Sequence, residues 1–317
     1  MADAKTPLRR VILGTGGTIA GRATRAGDNV GYVAGEVSAQ DLIGAVPALA
    51  GLALDVEQVA QIDSKDMDGQ VWQALALRCA HHLEDPEVRG VVITHGTDTL
   101  EETAWFLHEV LDTRGKPVVL TCAMRPATAL TPDGPQNLLD AVAVAVTPGA
   151  RGVLAVAAGE IHGARQVQKV HPYRVNAFNS GEAGPLGWVE EGAVRLVQDW
   201  PPVLGKSAFN AIKNRASSFA WPRVEVVISH AGASGTMVDA LVRDGVQGLV
   251  VACTGNGTIH HALEAALLRA QEAGVRVVRS TRCSEGQVLP KPGDALPDSQ
   301  GLSPLKARIS LMLELLH

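Results

Sequence analysis

"GVVITHGTDTLEETAWFL", Gly90 to Leu107, is an apolar run that ends in His-Gly-Thr-Asp-Thr and then turns charged. Val91, Val92 and Ile93 follow one another without a polar residue between them. Such a β-branched run without alternation is the pattern of a strand buried on both faces. Leu100, Ala104 and Leu107 then fall on one helical stripe. The hydroxyls of Thr97 and Thr99 and the carboxylate of Asp98 therefore crowd the exit of a buried strand, where open α/β sheets bind their ligands.

The same alternation extends in both directions. Further strands are expected at Arg9–Leu13, Val56–Ile62, Pro117–Thr121, Gly152–Ala158, Val224–His230, Gly248–Cys253 and Val275–Ser280. Helices lie between them. Val71, Leu75, Cys79 and Leu83 recur every four residues, and "HHALEAALLRAQEAG", His260 to Gly274, ends in a glycine suited to a helix stop. Strands alternating with helices imply an α/β fold with largely parallel sheets. Periodicity stops near Gln198–Trp221, where Pro201-Pro202 and a Lys/Asn/Ser cluster read as a linker. The expectation is two α/β domains, each a largely parallel sheet flanked by helices. The larger is N-terminal at 1–198, the linker 199–221, and the smaller domain C-terminal at 222–317.

At 317 residues the chain is long enough for two domains of about 150 residues each. A hydrophobic share of 46% against 19% charged suits a soluble globular protein. The net charge of -5 and the lack of a basic stripe argue against nucleic-acid binding. No apolar run is long enough to cross a membrane. Met1–Arg10 is polar and carries no secretory pattern, so a cytoplasmic location is expected. The four cysteines, Cys79, Cys122, Cys253 and Cys283, have no zinc-type spacing and read as reduced thiols. Neither His81-His82 nor His260-His261 has metal-ligand spacing, so no metal site is expected.

Chemistry is sought just after the strands. Thr15 follows the first, Ser64 the second and Thr97-Asp98 the third. The turn "GTGGTIAG" is not a dinucleotide fingerprint, because Ile19 stands where the last glycine should be. No P-loop Lys-Ser/Thr pair and no Gly-x-Ser-x-Gly elbow is present. Glycines there leave Thr15 uncrowded and let backbone N–H groups approach a ligand. Thr99-x-x-Glu102 fits a capping box, which would account for one hydroxyl but not for His95-Gly96-Thr97-Asp98 as well. A threonine is a weak nucleophile until a base takes its proton. The candidate bases are Tyr32 and Lys169, although either residue type, read alone, is more often packing or surface.

These segments resemble the bacterial-type L-asparaginases of the asparaginase/glutaminase family. "TGGTIAG" at Thr15 and "VITHGTDTLEETA" at Val92 are similar to its two signatures. The similarity continues in "AVPAL" at Ala45, "DSKDM" at Asp63, "PVVLTCAMRP" at Pro117, "DGPQNLLDAV" at Asp133, "GPLGWV" at Gly184, "TGNGT" at Thr254 and "VVRSTR" at Val277. The resemblance implies two α/β domains, a homotetramer built from intimate dimers, and hydrolysis of L-asparagine to L-aspartate and ammonia without metal or organic cofactor. It implies that Thr15 forms the acyl-enzyme beside a mobile-loop tyrosine, Tyr32, and that Thr97, Asp98 and Lys169 form a second catalytic group. Ser64 and Asp98 would grip the substrate's α-carboxylate and α-amine. Ala123 would offer its carbonyl near the leaving nitrogen, and Asn256 would come from the partner subunit's C-terminal domain.

Two positions depart from the family pattern. Lys65 stands where periplasmic members often carry glutamine, and the cysteines miss those members' disulfide positions. A lysine cannot face the substrate ammonium unscreened, since a like-charge contact near 4 Å costs roughly 4 kcal/mol at an effective dielectric of about 20. Lys65 is therefore expected to face the substrate carboxylate, the alternative being neutralisation by Asp66 or another acid. The rival readings are a glutaminase-asparaginase or other ω-amide hydrolase, and an amino-acid-binding protein that keeps the pocket without turnover.

Overall fold

The computed structural model describes residues 9–25, 27–202, 208–216 and 218–317. The expected polar N-terminus thus lies, up to residue 8, outside the described residues, as do 203–207 and 217 of the expected linker. The chain forms two compact units, Met1–Lys213 and Asn214–His317.

The first unit holds β1 (Arg9–Gly16), β2 (Arg22–Ala23), β3 (Tyr32–Val33), α1 (Ala39–Gly44), β4 (Leu54–Ile62), α2 (Gly69–Glu84), β5 (Val88–Thr94), α3 (Leu100–Val110), β6 (Pro117–Thr121), α4 (Gly134–Val146), β7 (Gly152–Ala157) and β8 (Glu160–Gly163). It continues through β9 (Gln168–Lys169), β10 (Phe178–Asn179), β11 (Gly187–Glu190), β12 (Ala193–Leu196) and α5 (Ala208–Lys213). Its main sheet has the order β12-β11-β8-β7-β6-β5-β1-β4. The five strands from β7 to β4 are parallel to their neighbours; β8, β11 and β12 continue the sheet antiparallel.

The apolar runs explain the parallel part. Ile12, Val92, Val119 and Leu154 stand in register across four strands, and all are fully buried in one cluster with Leu138 and Ala141 of α4. Their chain neighbours Val11, Leu13, Val91, Ile93, Val118 and Leu120 are as buried on the opposite face. Each such side chain contributes roughly 1.5–3 kcal/mol of burial, so neither face can be turned to water. Helices α2 and α3 lock together through stacking of Trp72 on Phe106 at 4.9 Å and a 2.9 Å bond from Trp72 Nε1 to Thr103 Oγ1. Asp68 starts α2 by accepting from the N–H groups of Gln70 and Val71.

Two expectations change. Part of the segment read as a linker is helical: Ile212 of α5 is fully buried, and its carbonyl accepts from Gln73 Nε2 at 2.8 Å. The capping box does not form. Thr99 occupies the N-cap position of α3 without a side-chain cap bond, because its hydroxyl donates instead to the Ser64 carbonyl at 2.8 Å.

The second unit is a three-stranded parallel sheet in the order β13 (Val224–Ile228), β14 (Gly248–Cys253) and β15 (Arg276–Thr281). It carries α6 (Thr236–Arg243), α7 (His261–Glu272) and α8 (Pro304–Glu314). Leu249, Val251 and Val277 pack with Val238 of α6 and with Leu263 and Leu267 of α7.

Candidate active site

Strand β1 lies between β4 and β5. The chain leaves β1 for one flank, makes β4, and returns to build β5 on the other. This reversal is the topological switch point at which α/β sheets leave a crevice beyond their strand ends. Four neighbouring strands, β4, β1, β5 and β6, bring Ser64, Thr15, Thr97-Asp98 and Ala123 to that edge.

The loops approach one another as bare backbone. Gly17 has φ +80, and a Cβ on it would lie 2.2 Å from Gly96 Cα; a Cβ on Gly96 would lie 2.4 Å from Ser64 Oγ. Only glycine at both positions lets the β1 and β5 exits touch.

Thr15 is buried, and its Oγ1 donates to the Thr94 carbonyl at 3.0 Å. Thr97 is buried one strand away. Lys169, on the small β9–β10 ribbon, donates from Nζ to Thr97 Oγ1 at 2.8 Å and to Asp98 Oδ1 at 2.6 Å. Thr97 Oγ1 is 3.5 Å from the same carboxylate oxygen. Ser64 Oγ accepts the Asp98 N–H at 3.2 Å, so of the N–H groups around Thr97 this one is already committed. The structure thus gathers Thr15, Ser64, Thr97, Asp98 and Lys169.

Other predicted residues stand further out or differently. Tyr32 is hydrogen-bonded through its hydroxyl to Thr18 Oγ1 at 2.6 Å. Ala123 is buried in a turn clamped by Asp133, which accepts from the N–H groups of Met124 and Arg125 at 2.9 Å each. Lys65 does not reach across the site. Its Nζ lies 2.6 Å from Asp63 Oδ2 and 3.4 Å from Asp66 Oδ2, and the side chain is 61% exposed. The Asp63 hydrogen bond, with the charges of both acids, holds the ammonium above the ordinary lysine range. The expectation that it faces the substrate carboxylate is not the resting arrangement: two acids within one turn of chain are always at hand, whereas a substrate is not. Asn256 belongs to the second unit, where its side chain exchanges bonds with the backbone of Leu289, accepting at 2.7 Å and donating at 3.2 Å.

His95 is fully buried, and its Nδ1 donates to the Gly96 carbonyl at 2.7 Å. Burial pushes its pKa down to about 4, so the ring is neutral at pH 7 and is not an acid there. The Cys79 and Cys122 thiols are pushed far up by burial and are not nucleophiles. Among the described residues no cluster of His, Cys, Asp and Glu is placed to hold a metal ion.

Residue-by-residue reading missed four contributors. Glu101 accepts the Lys169 N–H at 2.5 Å, Asp133 and Asn137 brace the β6 exit, and Thr18 holds Tyr32. Glu101 and Asn137 carried a signal, since polar side chains buried in apolar helices need partners, and Asp133 stands just before α4. Thr18 lies three residues from Thr15, inside the same glycine-rich stretch.

The switch point of this α/β fold therefore carries hydroxyls, a lysine and a carboxylate together. The family model described as "Asparaginase, N-terminal" matches residues 10–202, and that of the glutaminase/asparaginase C-terminal domain matches 223–317. The chain belongs to the asparaginase family. It is 38% identical to L-asparaginase 2 of Bacillus subtilis, over 96% of this chain and 81% of that protein. It is 37% identical to glutaminase-asparaginase of Pseudomonas fluorescens biotype A, over 99% of this chain and 88% of that protein. The solved structure of a probable cytoplasmic L-asparaginase from Campylobacter jejuni superposes with a TM-score of 0.88 at 39% identity, covering 97% of this chain and 94% of that one.

Proposed function

We propose that the chain hydrolyses L-asparagine to L-aspartate and ammonia through an ester on Thr15. The observation that carries this reading is the Lys169–Thr97–Asp98 cluster, one strand from a second buried threonine. Thr15 Oγ attacks the side-chain amide carbon. Its proton, held by the Thr94 carbonyl at rest, passes to the Tyr32 oxygen as the phenol gives its own proton to the departing nitrogen, or passes by way of Thr97 to Lys169 and from there to that nitrogen. The oxyanion forms against the Thr97 N–H, since that of Asp98 is taken. Water then enters, polarised by Thr97, and splits the ester. Ser64 and Asp98 hold the α-carboxylate and α-amine, and the Ala123 carbonyl faces the leaving nitrogen. Asn256 of a neighbouring subunit completes the site in an intimate dimer, two of which form the tetramer. The free cysteines and the likeness to the C. jejuni protein support a cytoplasmic location.

Glutamine is the second substrate to weigh, because several relatives are named glutaminase-asparaginase. Lys65 bears on that choice. Held by Asp63 and Asp66, it adds no net attraction for the carboxylate, and Lys65→Gln changes KM for asparagine less than about threefold. Ammonia release from asparagine, glutamine and their D-forms, for wild type and Lys65→Gln, tests both points. Binding of asparagine without ammonia release contradicts the enzyme reading. A KM raised tenfold in the variant returns Lys65 to the carboxylate.

A further inference from the structure

The exposed turn that carries Asn256 is closed at its base. Thr254 and Thr258 pair across it antiparallel, exchanging backbone bonds at 3.0 and 2.9 Å, and their hydroxyls meet at 2.8 Å. Gly255, Asn256 and Gly257 stand between them. The closing pair fixes the shape of the turn but not where it points, and that task falls to β15. Arg279 and Thr281 are two residues apart on this strand and so lie on one face of it. Thr281 Oγ1 donates to the Gly255 carbonyl at 2.9 Å, and Arg279 Nη1 donates to the Gly257 carbonyl at 3.5 Å. The carbonyls on either side of Asn256 are thus both held from one strand.

The same guanidinium holds the segment that orients the asparagine side chain. Arg279 is buried; its Nε donates to the Leu296 carbonyl at 2.9 Å and its Nη2 to Asp294 Oδ2 at 2.7 Å. Earlier in that segment Val288 covers Gly257, where an added Cβ would meet Val288 Cγ1 at 2.8 Å, and Leu289 exchanges both backbone groups with the Asn256 amide. A guanidinium has donors in several directions and serves the turn and the segment at once. An amide side chain has two N–H bonds and two lone pairs, so after Leu289 one of each is left to meet a ligand. Resting on the shared-site reading above, we propose that Arg279 and Thr281 are positioning residues for the reaction in the neighbouring subunit: together they aim the Asn256 turn. Neither touches a reacting atom.

The test measures kcat/KM by ammonia release from L-asparagine in the assembled enzyme. Arg279→Gln and Thr281→Val each lower it at least about tenfold, because a displaced turn misplaces Asn256. Thr281→Ser, which keeps the hydroxyl, stays within about threefold of wild type. Adding Thr281→Val to Asn256→Ala costs less than about threefold more, since Thr281 acts only through that turn. The loss is also repaired in trans. After subunit exchange with Thr15→Ala, about half of the dimers pair an intact Thr15 with a wild-type turn, and turnover rises to about a quarter of wild type from about a twentieth or less. A defect confined to the variant's own chain gives the opposite: no rise on exchange, and losses that multiply with Asn256→Ala. Should Arg279→Gln not fold, Thr281→Val, a nearly isosteric change, carries the same expectation. Thr281→Val within about threefold of wild type, no rise despite proven exchange, or multiplying losses overturn the assignment where Asn256→Ala still complements Thr15→Ala. If Asn256→Ala does not complement it, the shared-site reading falls and the proposal with it.

Discussion

His95 and Lys169 stand at the same edge and are treated oppositely by their surroundings. Lys169 is half-wrapped, with a hydroxyl and a carboxylate to share its protons. His95 is sealed in, and among the described residues its Nε2 has no hydrogen-bond partner. Protonating it in place would bury an unanswered charge, which is why its pKa falls from the ordinary 6.5 to about 4. The unfolded chain therefore binds a proton between those values that the folded chain refuses. Stability rises with pH across this window and is lost as pH falls from about 6.5 towards 4. His95→Gln removes that dependence. Urea unfolding at pH 7 and pH 4.5 should show the wild type losing about 2–3 kcal/mol more than the variant on acidification. Equal losses would mean that the ring is not sealed. At this scale the sequence made Thr15, Thr97, Asp98 and Ser64 legible, because they follow apolar runs that can only be strands. Tyr32 and Lys169 were legible from the residues only as candidate bases, and the family resemblance singled them out, since both stand on two-residue strands with no periodicity of their own.

The strand-end loops are held together by missing side chains. Gly17 has φ +80, and its Cβ would strike the Gly96 backbone at 2.2 Å; Gly115 has φ +73 and nothing within 4 Å. Alanine at Gly115 meets only the left-handed strain, about 1 kcal/mol. Alanine at Gly17 must also push β1 and β5 exits apart, and should cost at least about 3 kcal/mol together with most of the activity. Thermal or denaturant unfolding of the two variants compares the terms directly, and similar losses would contradict the close approach. Elements with long apolar runs were readable in advance for the reason they are stable: both faces are covered. The antiparallel margin was not. Ala193–Leu196 is mostly exposed, Glu160–Gly163 is short, and neither offers a run or an alternation long enough to register. Helix α5 was hidden for a similar reason, having Ile212 as its single buried residue.

At the scale of the whole molecule the reading divides the site between chains, with Asn256 in the second compact unit. Thr15→Ala and Asn256→Ala proteins, each inactive alone, should complement after subunit exchange. Half of the dimers are then mixed, each with one intact site of two, so about a quarter of wild-type turnover returns. A mixture that stays inactive despite proven exchange removes Asn256 from the shared site. The central claim, that two threonines at neighbouring strand ends form one catalytic unit, is tested most directly by kcat for L-asparagine in Thr15→Ala, Thr97→Val and the double variant. The account predicts losses of at least about a thousandfold in each single variant, with the double little worse than the slower single. A single variant within about tenfold of wild type, or a double whose loss is the product of the two, would contradict it.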